Sequence, residues 1–234
     1  MYNICGDVNM KLGLIVAVEM ESFLNKYGET RDIDVFGDFE VFKYNINKHE
    51  IYVINSGVGE ISAASSTQLL ISKYDVDIIV NYGIVGSLNE KYSTGDTCLV
   101  KSVVHYDFDL SGVDKEYIKG RYSNYPSIYI NTSCELLEKY NYLKLPCVVC
   151  ASGDKFISDI NKKRELNKSF NADICDMESA GIILTCDKNN IPCILIKCVA
   201  DSINDGGKEY YEKKKSSSDI CIKILDDILS NKSW

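Results

Sequence analysis

Leu12-Gly-Leu-Ile-Val-Ala-Val18, closed by Glu19-Met-Glu21, carries no polar side chain from residue 12 to residue 18. An amphipathic strand would alternate. An unbroken run of this kind is what a strand needs when both faces of its sheet are covered. Runs broken at most once, by Asp77 and by Lys197, return at 76–80, 147–151 and 193–199, with a longer strand expected over 95–104 and a short one over 174–177. Between them the spacing changes to that of helices. Ile61, Ala64, Leu69 and Leu70 mark a helix over 61–74, and others are expected over 20–28, 134–143, 161–170, 179–189 and 208–230, the last with a break left open. Stretches 41–46 and 51–55 flank Asn47-Lys48 and suggest a hairpin. Strands alternating with helices predict an α/β fold, a single domain whose central sheet is mostly parallel and flanked by helices. Residues 106–128, rich in Tyr, Asp, Ser and Gly, predict a long and therefore functional loop.

A length of 234 residues suits one domain, placed at 10–234, with 1–9 as an extension of unassigned role. The formal net charge is -8 and no basic stripe is present, so no nucleic acid partner is expected. Lys213-Lys214-Lys215 stands beside Glu209 and Glu212 and reads as a solvated helix face. The first ten residues lack an apolar signal core, and nowhere do 18 apolar residues run together. A cytoplasmic protein without a membrane partner is the expectation. The ten cysteines lie mostly in apolar runs and read as free thiols. Cys147 and Cys150 are three apart on a strand and point to opposite faces, so they do not share a metal. Only His49 and His105 are available as histidine ligands. Neither a metal nor a cofactor is expected.

In sheets of this kind ligands collect beyond the carboxyl ends of the strands. That rule selects Glu19 and Glu21, the Ser56-Gly57 turn, a glycine-rich turn at 83–87, the 153–157 loop, Glu178 and Asp201. Ser56-Gly-Val-Gly59 has part of a dinucleotide fingerprint, but Ser62 replaces the third glycine and no acid follows at a strand end about 20 residues on. A tight turn against a small ligand is the better reading. Glu21, Glu178 and Asp201 could each be an ordinary acid at a helix amino end. Three acids at strand ends would line one crevice.

Five blocks then occur in a fixed order. They are Gly13-Leu-Ile-Val-Ala-Val-Glu-Met-Glu21, Asn81-Tyr-Gly-Ile-Val-Gly-Ser87, Ser152-Gly-Asp-Lys-Phe-Ile157, Asp176-Met-Glu-Ser-Ala180 and Lys197-Cys-Val-Ala-Asp201. In this order, over roughly residues 10–230, the chain resembles the methylthioadenosine/S-adenosylhomocysteine nucleosidases. The resemblance implies a nucleoside phosphorylase-like fold with a partly barrel-like sheet. It also implies cleavage of the N-glycosidic bond of a purine nucleoside by water, and a homodimer in which the loop from His105 to Leu110 walls the neighbouring site. Asp201 takes the position of the acid that protonates purine N7, and Glu21 that of the residue activating water. Glu178 takes that of the residue holding the ribose hydroxyls. Phe156 stacks on the purine and the Ile157 backbone reads its edge. Met177 and Val58 pack on the ribose, Gly86 belongs to the glycine-rich block, and Tyr210 or Tyr211, with Tyr211 as the candidate contact, closes over the 5′ substituent. Four positions depart from the family pattern: Ile84 stands where a serine is usual and Lys197 where an arginine is usual, while Val85 and Ser87 are milder changes. Ile84 leaves open a nucleoside-binding protein without catalysis. A phosphate-dependent phosphorylase is the other alternative. Its anion would meet Glu19 and Glu21 instead of arginines, which favours water as the nucleophile.

Overall fold

The computed structural model describes residues 9–204 and 207–231. The expected extension at 1–9 therefore lies, apart from Asn9, outside the described residues. In chain order the elements are β1 (Lys11–Val16), α1 (Met20–Tyr27), β2 (Ile33–Phe36), β3 (Phe39–Ile46), β4 (His49–Asn55), α2 (Glu60–Tyr74), β5 (Ile78–Ser87) and β6 (Thr97–His105). They continue as β7 (Ile130–Asn131), α3 (Cys134–Lys139), β8 (Cys147–Ser152), α4 (Ile160–Phe170), β9 (Ile174–Asp176), α5 (Ser179–Asn189), β10 (Cys193–Asp201) and α6 (Gly207–Ser230).

All ten strands join one sheet in the order β10-β6-β8-β9-β5-β1-β4-β3-β2, with β7 on β6 and a further pairing of β10 with β5. That last pairing closes β5, β10, β6, β8 and β9 into a ring, and the remaining strands extend from it as an open wing. The sheet is mixed. One parallel block is β4-β1-β5-β10 and the other is β6-β8-β9. The antiparallel β10–β6 and β5–β9 pairs join the two blocks.

β1 shows why its sequence does not alternate. Leu12, Leu14 and Val16 pack in one core with Phe23 of α1 and Cys221, Leu225 and Ile228 of α6. Ile15 faces the other core, with Ala63 and Leu70 of α2 and Ile182 and Cys186 of α5. A third core under the ring holds Val104, Tyr106, Ile157 and, from α4, Leu166 and Phe170. The hairpin turns at Asn47 and Lys48, both with positive φ. β2, an edge strand with exposed Ile33 and Val35, was not expected from the sequence. α6 runs unbroken.

One expectation needs correcting. Gly83 to Ser87 is not a turn, because β5 continues through it to Ser87. Neighbours change along the strand: β1 pairs with Ile78–Asn81, β10 with Ile79–Gly86, and β9 with Gly86 and Ser87. Gly86 serves a close approach, since a Cβ there would lie 2.9 Å from Oδ2 of Asp201. Opposite it, the β10 register shifts between Val199 and Asp201. Bulges of this type re-aim side chains beside functional sites.

Candidate active site

A cleft of about 450 Å³ opens at the carboxyl ends of the strands, lined among others by Glu19, Ile84, Gly86, Glu178, Asp201 and Tyr210. A larger cleft at the opposite end of β1, β5 and β10 gathers Asp75, Asp77, Glu135 and Asp187 but none of the expected site residues. Chemistry, more than volume, therefore selects the first. Met177, Phe156 and Val58 also line it. Phe156 and Val58 are 44% and 51% exposed, which puts an apolar surface at the mouth.

Four expected residues are not among those that line this cleft. Glu21 is at the surface, its side chain 76% exposed and 3.6 Å from Lys215. The carboxylate in the cleft is that of Glu19, which is buried. Its Oε2 accepts hydrogen bonds from the amides of Ala17 (3.1 Å) and Val18 (2.9 Å), and its Oε1 accepts from Ile84 N–H at 3.0 Å. The reason lies in α1. Phe23 sits in the core with Met20 and Tyr27 packed against it, so the inward stripe of that helix excludes Glu21. Tyr211 is 82% exposed, whereas Tyr210 lines the cleft and meets Phe156 edge-on at 5.3 Å between ring centroids. Ile157 is buried in the third core and leaves only its backbone for a ligand. Lys197 is buried behind the cleft, its Nζ 2.8 Å from Oδ2 of Asp176.

Glu178 ends β9's loop, and its Oε1 accepts Gly59 N–H at 3.0 Å while its Oε2 accepts Met177 N–H at 3.3 Å. Burial and the neighbouring Asp176 push its carboxyl up to about 7. Burial also works against ionised Asp176, but Lys197 and the hydroxyls of Ser152 and Ser179 hold it below the ordinary aspartate value. Behind both lies Glu60, pushed up to about 9 chiefly by burial and then by Asp176. Asp201 is buried, and its Oδ2 is 2.6 Å from Nζ of Lys163 on α4.

The sequence reading missed Glu19 as the inward acid, Lys163 and the buried Glu60. Lys163 had a signal: with Leu166 and Phe170 it occupies positions i, i+3 and i+7, the buried stripe of α4. A cation there must be paired. Glu60 had none, because an acid in the first turn of a helix is ordinary.

The cleft thus brings four carboxylates together at strand ends, Glu19, Asp176, Glu178 and Asp201, of which Asp176 is paired with Lys197. Among the described residues that line it there is no lysine or arginine. Residues 11–230 match the family model of the phosphorylase superfamily. A 5′-methylthioadenosine/S-adenosylhomocysteine nucleosidase of Buchnera aphidicola is 32% identical over 217 residues, covering 87% of this chain and 89% of the relative. The chain belongs to the methylthioadenosine/S-adenosylhomocysteine nucleosidase family. The nucleosidases of this family are N-glycosyl hydrolases. A variant of the Helicobacter pylori nucleosidase, solved with 5′-methylthioadenosine in its active site, superimposes with a TM-score of 0.87 at 25% identity and covers 95% of this chain and 99% of that one. A futalosine hydrolase variant of the same organism shares the fold, with a TM-score of 0.87 at 24% identity over 94% of this chain and 98% of that one. No helix among the described residues is long and apolar enough to cross a membrane.

Proposed function

We propose that this nucleosidase hydrolyses the N-glycosidic bond of a purine nucleoside with a 5′-thio substituent, of the methylthioadenosine or S-adenosylhomocysteine type, and does so with Asp201, Glu19 and Glu178. The observation that carries the reading is the convergence of these three carboxylates in one cleft without a lining cation.

Purine is a poor leaving anion. Protonation at N7 by Asp201 lets it depart neutral as the N9–C1′ bond breaks. Positive charge then develops on the ribose, as in other glycoside hydrolysis. Glu178, ionised, accepts hydrogen bonds from the 2′ and 3′ hydroxyls and places negative charge close to that cation. Glu19, fixed by three amides, accepts the proton of the attacking water as the C1′–O bond forms. Ile84 supplies one of those amides, so its apolar side chain does not remove the anchor of Glu19. The purine lies against Phe156 with the Ile157 backbone at its edge, while Met177 and Val58 meet the ribose. Tyr210, in place of Tyr211, covers the 5′ group.

Phosphate as nucleophile would have to enter a cleft lined by Glu19, Asp176, Glu178 and Asp201, which disfavours a phosphorylase. The test is purine release from 5′-methylthioadenosine, S-adenosylhomocysteine, 5′-deoxyadenosine, futalosine and adenosine, followed by chromatography with and without phosphate. Release without phosphate is expected, greatest with the 5′-thio nucleosides and lost on the order of 100-fold or more in Asp201→Asn. Dependence on phosphate would establish the phosphorylase. Binding without release in either buffer would establish a non-catalytic binding protein.

A further inference from the structure

Lys163 is a fully buried lysine that the mechanism above leaves without a task. It reaches from α4 across the base of the cleft, where its ammonium donates to Oδ2 of Asp201 at 2.6 Å and to the Ser202 carbonyl at 2.5 Å. It does not line the cleft itself. From the geometry we infer that Lys163 is the positioning residue of the base-protonating acid: it fixes the carboxyl of Asp201 and stabilises the carboxylate that remains once the proton has moved to the purine.

The inference rests on Asp201 as the acid. During bond cleavage the O–H bond of Asp201 breaks and an N7–H bond forms, so a buried carboxyl becomes a buried carboxylate. An ammonium at hydrogen-bonding distance offsets the charge that appears there. Among the described residues, the groups facing Asp201 from the other packed elements do not supply a cation. β5 presents Gly86, which has no side chain. β9 presents the Cys175 thiol, pushed up to about 12 by burial and then by Asp201. α6 presents Tyr210, raised by burial and then by Glu19, Glu178, Tyr211 and Asp201. Glu209 from the same helix accepts Ser202 N–H at 2.6 Å and adds a further negative charge nearby. Among the described residues, Lys163 is therefore the cation at this end of the site, as Lys197 is behind Glu178.

A purely structural ion pair and a positioning residue differ in their effect on the pH profile. Holding Asp201 towards its ionised form makes it a stronger acid but empties it of protons at lower pH. Lys163→Met removes the charge and keeps most of the stem. Lys163→Gln removes the charge and keeps a donor for the carboxyl and the Ser202 carbonyl. With 5′-methylthioadenosine as substrate, both variants should show a basic limb of kcat moved up by about one pH unit or more. The plateau kcat should fall on the order of tenfold, with KM within about threefold. If one variant fails to fold, the other gives the same readout. A basic limb that stays in place, whether or not kcat falls, overturns the assignment. Asp201→Asn run in parallel separates the two claims. If it hydrolyses like the unaltered protein, Asp201 is not the acid; if it is inactive and the limb of the Lys163 variants stays in place, only the role of Lys163 is lost.

Discussion

Ser152 Oγ lies 2.5 Å from Oε1 of Glu60 and 2.6 Å from Oδ1 of Asp176, and it also accepts Ala180 N–H at 3.1 Å. A hydroxyl has one proton to give. Asp176, paired with Lys197, takes that proton as an ionised acceptor, so the short contact to Glu60 requires the proton to sit on Glu60. The other Glu60 oxygen accepts Gly181 N–H, which completes a network in which each buried group is satisfied. The shift of Glu60 to about 9 agrees with this counting. An acid whose folded value is raised stabilises the fold below its unfolded value near 4.5, and that contribution is lost as pH rises towards 9. Glu60→Gln supplies an N–H for Ser152 and a carbonyl for Gly181 without the ionisable proton. It should raise the thermal midpoint at pH 8 by roughly 2 °C or more and change it less at pH 5. Glu60→Ala should lower the midpoint at both. A Gln variant less stable at pH 8 than the unaltered protein would mean that Glu60 is ionised in place.

At the scale of elements, α1 decides between two acids only two residues apart. Glu19 ends the β1 segment and turns inward, whereas Glu21 falls on the outer face of the helix beside Lys215. Glu19→Gln should therefore lower kcat on the order of 100-fold, and Glu21→Gln should leave it within about twofold. Steady-state rates with 5′-methylthioadenosine decide, and the reverse pattern would return the water-activating role to Glu21. The same comparison shows how far the sequence could be read. Strands buried on both faces were legible because their apolar runs are local, and the strand ends they delivered include Asp201, Glu178 and the 153–157 loop. Side-chain direction near those ends was not, because it depends on helix phase: Tyr210 and Tyr211 are neighbours in sequence but about 100° apart around α6. Nor was the continuation of β5 through Gly83 and Gly86, since glycine in a strand looks like a turn until the partner that needs the space is known. Ring closure through the β5–β10 pair was expected only by resemblance, because it joins segments about a hundred residues apart.

For the whole molecule, the mouth of the cleft carries large apolar side chains in the open. Val58, Ile61 and Phe156 are 51%, 79% and 44% exposed. Val58 and Phe156 both line the cleft, Ile61 stands in the first turn of α2, and Glu60 N–H of that turn donates to Asp154 Oδ1 at 2.7 Å, tying the helix to the loop that carries Phe156. Large apolar side chains grouped on a surface mark an interaction site. We propose that a second copy of the chain covers them about a two-fold axis, so that one interface shields both clefts. Shielding matters to the chemistry, because the proton transfer from Asp201 and the charges around the ribose are more effective where bulk water is excluded. Sedimentation equilibrium at micromolar concentration should give twice the chain mass. Ile61→Glu places a charge on the exposed first turn of α2, outside the lining of the cleft and away from its carboxylates. It should give the single-chain mass with KM for 5′-methylthioadenosine raised about tenfold or more, because the Val58 and Phe156 contacts are then left open to solvent. A single-chain mass for the unaltered protein with full activity would show that the cleft works uncovered.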